Sequence, residues 1–155
     1  MRTLTEIGSG QIGRLDLGEF VTADEVAPVA EVLRRMRHCG GVTALVMREG
    51  RLSGIFTERD MLIKVLGDPT ADQRPVRELM TSNPVTALPE QSVHTALRVM
   101  RRGGFRDLPV VDENGRLLGN LTQGAVVRFL AGSLPQEVLN LPPRPDQAPA
   151  TPEGA

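Results

Sequence analysis

The chain has 155 residues, with 18 Lys+Arg against 19 Asp+Glu and a net charge of −1. That balance argues against a nucleic-acid or anionic-membrane surface, and four Phe with no Tyr or Trp leave little for stacking on bases. No run approaches the roughly 18 apolar residues of a membrane span, Met1 to Gly18 holds no stretch of signal-peptide length, and a lone Cys39 excludes an intramolecular disulfide and a cysteine-based metal cluster.

Residues 1–19 carry Gly8, Gly10, Gly13 and Gly18 without a clear period, and read as an N-terminal extension. A first helix follows, with Val26, Val29, Ala30, Leu33 and Met36 at helical spacing and Asp24 as its expected N-cap. Thr43–Met47 and Leu52–Phe56 read as strands around the turn Arg48-Glu49-Gly50-Arg51. A second helix carries Met61, Leu62 and Val65. The same order then recurs. Ser92 should cap a helix with Val93, Ala96, Leu97 and Met100. Strands at Leu108–Val111 and Leu117–Leu121 flank Asp112-Glu113-Asn114-Gly115, whose Asn-Gly signals a tight hairpin. Val126, Val127 and Leu130 mark the last helix. Five prolines from Pro142 to Pro152 predict a disordered tail.

The recurrence is a duplication. Shifted by 64 positions, Val21-Thr22-Ala23 meets Val85-Thr86-Ala87, and Leu33, Arg34, Met36, Arg37 and Gly40 meet Leu97, Arg98, Met100, Arg101 and Gly104. Asn114 inserts one residue; at a shift of 65, Gly50-Arg51-Leu52 meets Gly115-Arg116-Leu117, Gly54 meets Gly119 and Thr57 meets Thr122. The expected layout is an extension (1–19), a first repeat with its linker (20–80), a second repeat (81–134) and a tail (135–155). A unit of about 50 residues buries too little surface alone. Two strand–helix–strand–strand–helix units packed as a pseudo-twofold α+β pair solve that.

The first return strand ends in Gly54-Ile55-Phe56-Thr57-Glu58-Arg59-Asp60. Gly-hydrophobic-x-Thr-x-x-Asp, after a hairpin and before a helix, resembles the signature of the cystathionine β-synthase (CBS) domain. The second copy reads Gly119-Asn120-Leu121-Thr122-Gln123-Gly124-Ala125, the same frame without the acid, and its Phe105-Arg106-Asp107-Leu108-Pro109-Val110 resembles the family's hydrophobic-Pro-hydrophobic strand. The resemblance covers residues 20–131. It implies a sensor, not an enzyme, that binds an adenosyl ligand (AMP, ADP, ATP or S-adenosylmethionine) between the repeats and requires no cofactor. In the family the Thr touches phosphate and the Asp holds the ribose hydroxyls. By that pattern Thr57 and Asp60 form one end of a site, with Phe56, Glu58 and Arg59 beside them. The facing copy would add Val85, Thr86, Arg106, Asp107, Leu108 and Pro109. A degenerate second site would use Thr22, Thr43, Ala44, Leu45, Leu121, Thr122 and Gln123. Ala125 stands there in place of the acid, and Leu45 in place of the strand proline.

Plainer readings exist for each motif. Thr57-x-x-Asp60 is also a capping box, which closes a helix with no ligand. His38-Cys39 lacks a third metal ligand nearby, and no oxyanion or triad pattern surrounds the thiol. Arg34, Arg35, Arg37, Arg98, Arg101 and Arg102 fit solvated helix faces. The apolar residues of the second helices suit a homodimer, in which family pairs form a disc of four units. The expected partners are an adenosyl small molecule, a second copy and an unidentified effector protein, with no nucleic acid and no membrane, in the cytoplasm. The alternative is a ligand-free module that dimerises and docks a partner.

Overall fold

The computed structural model describes residues 6, 8–18, 20–41 and 43–133; the proline-rich tail lies outside them. In chain order there are a 3-10 turn (Ile12–Arg14), β1 (Val21–Asp24), α1 (Val29–Cys39), β2 (Thr43–Arg48) and β3 (Arg51–Thr57). Then come α2 (Glu58–Asp60), continued by a π-helical turn (Met61–Val65), two 3-10 turns (Ala71–Gln73 and Val76–Glu78) and β4 (Thr81–Ser82). The second half has α3 (Val93–Gly103), β5 (Asp107–Val111), β6 (Leu117–Thr122) and α4 (Gln123–Ser133).

The first sheet has the order β1-β2-β3-β4, with β1 parallel to β2 and the other pairs antiparallel. The second pairs β5 with β6, and Ala87 bridges Val110 in parallel. Ala87 and Val110 lie 64 positions beyond Ala23 and Val46, themselves partners in β1 and β2. The second sheet therefore repeats the first, with its leading strand reduced to one bridge. An irregularity recurs as well, between Val46 and Met47 and again between Val110 and Val111.

Each half has its own core. One holds Val29, Val32 and Met36 of α1 against Ala44, Val46 and Phe56. The other holds Val93, Ala96 and Met100 of α3 against Leu108, Val110 and Leu121. Both helices stop at a glycine in the left-handed region, Gly40 (φ 63°) and Gly104 (φ 67°), which only glycine adopts freely.

Two local expectations are corrected. Ser92 caps α3 as expected, accepting from the Thr95 N–H (3.1 Å), but α1 starts after Pro28 with no side-chain cap. Asp24 ends β1 and accepts from the Val26 N–H in a turn instead (3.0 Å). The two-residue hairpin is the first one. Glu49 (φ 48°) and Gly50 (φ 78°) join Arg48 to its partner Arg51, the positive φ pair that such a turn requires. In the second repeat the inserted Asn114 lengthens the loop. The Asp112 carboxylate there accepts from the Asn114 and Arg116 N–H groups (2.8 and 2.9 Å).

Residues 11–18 have no visible period because they serve the other repeat. Ile12 and Leu15 are buried in the second core, and the Ile12 N–H donates to the Gln91 carbonyl (2.9 Å). Val76 and Leu79 do the same for the first core, where the Val76 N–H donates to the Ala27 carbonyl (2.9 Å). The bridges Gln11 to Ser92 and Pro75 to Pro28 are one 64-position shift apart.

The apolar residues of the second helices divide between the cores and the surface. Met61 and Val65 pack partly on the first core, Val126 is buried and Leu130 partly so. The side chains facing outward are Leu62, Ile63, Leu66 and Val127. In the first repeat the wider π-helical winding of Met61–Val65 accompanies this division. Among the described residues, no helix is long and apolar enough to cross a membrane.

Candidate functional site

Thr57 ends β3 in an extended conformation and caps α2. Its Oγ1 accepts from the Asp60 N–H (3.3 Å), while Asp60 Oδ2 accepts from the Thr57 N–H and Oγ1–H (2.9 Å each). This is the reciprocal capping box that the spacing allows. Asp60 is only 7% exposed, so its charge needs partners. On Oδ1 it takes Lys64 Nζ (2.7 Å) and Thr81 Oγ1 (3.3 Å). Lys64 Nζ also donates to the Leu79 and Met80 carbonyls (2.8 and 3.5 Å). A carboxylate offers about four acceptor places and an ammonium three donors. The protein fills all of them.

A second polar group lies where the repeats meet. Thr43 Oγ1 donates to Asp107 Oδ2 (2.6 Å), and Asn120 Nδ2 donates to Asp107 Oδ1 (3.2 Å). Thr43 and Asp107 are equivalent positions of the two repeats, 64 apart. Their contact therefore marks the pseudo-twofold axis. Thr43 pairs with Thr57 in register, and Asp107 with Thr122. The order across the join is thus Thr57, Thr43, Asp107, Thr122. Asn120 is 1% exposed, and its Oδ1 has no partner among the described residues.

The mirror position keeps half of the cap. Thr122 Oγ1 accepts from the Ala125 N–H (3.0 Å), but Ala125 returns nothing. Gln123 closes the gap to the preceding loop, its N–H donating to the Arg106 carbonyl (3.1 Å).

The remaining expected site residues fall into two sets. Phe56, Leu108, Pro109, Ala44, Leu45 and Leu121 are buried. Glu58, Arg59, Val85, Thr86, Arg106, Gln123 and Thr22 are exposed. A cavity of about 420 Å³ between β1 and α1 reaches Thr22, Arg34 and His38 but neither Thr57 nor Asp60. Sequence reasoning missed Lys64, Thr81 and Asn120. Lys64 was signalled by its i,i+4 spacing from Asp60, and Asn120 by a polar residue inside an apolar strand. Thr81 carries no local signal, because only the sheet brings it to Asp60.

Two repeats of this topology, meeting at the Thr43 to Asp107 contact and with a capped acid in the first of them, define a tandem-repeat α+β module. The CBS domain model matches residues 14–67 and 76–132, and the chain belongs to that family. A CBS domain-containing protein of Arabidopsis thaliana is 36% identical over 74% of the chain, which spans 21% of that protein. An uncharacterized protein of Methanopyrus kandleri is 28% identical over 87% of the chain and 70% of its own length. Among solved structures, the cytosolic domain of the Mg2+ channel MgtE in complex with ATP is similar at TM-score 0.60 and 31% identity, covering 70% of this chain and 44% of that one. A CBS domain protein from Pyrobaculum aerophilum complexed with AMP is similar at TM-score 0.66 and 25% identity, covering 78% and 98%.

Proposed function

We propose that the chain is a regulatory module that binds an adenosyl nucleotide (AMP, ADP, ATP or S-adenosylmethionine) at Thr57 and Asp60, beside the join between its repeats. The observation that carries this reading is the Asp60 carboxylate, buried at a helix start next to the pseudo-twofold line of Thr57, Thr43 and Asp107. A carboxylate accepts both ribose hydroxyls, and a helix start favours phosphate. The AMP and ATP complexes of the two solved relatives support the ligand class. Arg59 and Arg106, both exposed, would neutralise a phosphate. The module requires no cofactor, catalyses nothing itself and acts in the cytoplasm through another protein.

A panel of AMP, ADP, ATP and S-adenosylmethionine tests this in a thermal melt. A ligand at about 100 times its Kd adds about 2.7 kcal/mol, or about 5–10 °C at this size. Asp60→Ala removes the shift. A panel that moves nothing favours the other reading, a ligand-free dimerising and docking module. The full occupancy of the Asp60 acceptor places by protein donors is the observation on its side.

The homodimer belongs to both readings. Leu62 and Ile63 of the π-helical turn and Leu66 just after it are 54%, 70% and 63% exposed, an apolar patch that a monomer rarely leaves open. Light scattering should give twice the 16.8 kDa chain mass. A monomer at micromolar concentration rejects the dimer.

A further inference from the structure

We propose that the cavity between β1 and α1 is a second ligand site, separate from Thr57 and Asp60, and that it takes a small aromatic carboxylate. The cavity holds about 420 Å³ between Phe20, Val21 and Thr22 on one side and Arg34, Arg35 and Cys39 of α1 on the other. That volume is within the range of small-molecule sites. β1 is the edge strand of its sheet. Of the residues expected at the two nucleotide positions, Thr22 alone reaches this cavity. The duplication shows what group fits there. α1 and α3 end in the same turn: the Gly41 N–H donates to the Met36 carbonyl (3.0 Å), and 64 positions on the Phe105 N–H donates to the Met100 carbonyl (3.0 Å). The side chains on this shared turn differ. Phe105 lays its ring on the end of α3, where a Cβ added to Gly103 would overlap it. In the first repeat the ring is missing, because position 41 is glycine, and Cys39 stands in place of Gly103. A thiol on one methylene replaces a benzyl group, and the cavity opens against Cys39. The second repeat thus supplies from its own chain the aromatic group that the first leaves to a ligand.

The charged groups show what the ring carries. Arg35 is occupied by Glu31 and by the Thr22 carbonyl (2.7 and 3.1 Å). Arg34 is exposed and its side chain has no partner among the described residues. A guanidinium is a planar fork that matches a carboxylate with two parallel hydrogen bonds. Arg34 and Cys39 lie five positions apart on α1, about 7.5 Å at 1.5 Å per residue. That leaves room for a ring at the helix end and a short acid chain reaching back to Arg34. The same orientation keeps the anion away from the last carbonyls of α1, where the helix dipole disfavours it.

The test uses the full chain and 3-phenylpropionate, read by calorimetry and by amide chemical shifts. A Kd of about 1 mM or tighter is expected for a probe of this size, with the shifts concentrated at Thr22, Arg34 and Cys39. The neutral 3-phenylpropanol should bind about threefold more weakly or worse, since it lacks the charge-assisted bonds. Arg34→Glu, a change at an exposed position, should weaken the acid by about tenfold or more. The double variant Cys39→Gly/Gly41→Phe gives the first repeat the ending of the second, and should bind none. The backbone accepts it, since the nearest atoms to a Cβ at Gly41 lie 3.9 and 4.0 Å away. Should the double variant fail to fold, Arg34→Glu decides. No binding at several times the expected Kd overturns the proposal. Equal affinity for the alcohol, or an unchanged affinity in Arg34→Glu, overturns the carboxylate. Undiminished binding to the folded double variant puts the probe elsewhere and overturns the site. The nucleotide reading stands apart from all of these outcomes.

Discussion

Gly119 shows how tightly the two halves of the second core are fitted. A Cβ there would lie 2.6 Å from Leu17 Cδ1 and 2.9 Å from its Cβ. Gly54, its counterpart, has the Met80 side chain in the same relation. Both glycines are conspicuous in the Gly-x-x-Thr frame, but the sequence offers no reason for them. The reason is the close approach of a segment that belongs to the other end of the repeat. Gly119→Ala should destabilise the protein by about 1–3 kcal/mol, the usual cost of overpacking, with Leu17→Ala in the same chain relieving most of it. Chemical denaturation of the single and double variants measures the effect. At this scale Thr57 and Asp60 were legible because a capping box is a local pattern. Thr81 and the Thr43 to Asp107 contact were not, because their partners lie 21 and 64 residues away.

At the scale of elements, alternation and helical spacing located the strands and helices, with most strand ends one residue off. Strand β5 starts at Asp107 and β3 runs from Arg51 to Thr57, since hairpin pairing extends past the apolar residues that reveal it. Residues 11–18 were illegible for a physical reason. A single 3-10 turn and the residue that follows it supply two buried side chains, Ile12 and Leu15, too few for any period to show. Their importance is visible only in the packing. Ile12 is fully buried, so Ile12→Ala should cost about 2–5 kcal/mol. The loss should fall on the second core. Hydrogen exchange should rise at amides of α3 and β5 well before those of α1 and β2. Equal acceleration in both halves would show that the cores unfold as one.

For the whole molecule, the duplication predicts two related sites, and the side chains make them unequal. Asp60 is answered by Ala125, so the second position lacks the acceptor for two hydroxyls. At about 1.5–3 kcal/mol for each charge-assisted bond, affinity there falls at least tenfold. Calorimetry should find close to one tight nucleotide site per chain; two equal sites would mean that Thr122, Gln123 and backbone suffice without the acid. The pair architecture itself was legible from the repeat, because two small units of this kind need each other's surface. The crossed assignment of segments to cores was not, since either assignment satisfies the same sequence.

That crossing has a consequence for synthesis on the ribosome. The first core draws its residues from Val21 to Met80 and is complete once that stretch has emerged. The second draws on Ile12, Leu15 and Leu17 at one end and on Val126 to Leu130 at the other. Its opening piece leaves the ribosome before any of the first core, yet finds its place last. At about 5–20 residues per second, the interval between Met80 and Leu130 lasts about 2–10 s. Throughout it Ile12 and Leu15 have no core to enter, so the nascent chain carries an uncovered apolar segment beside a finished half.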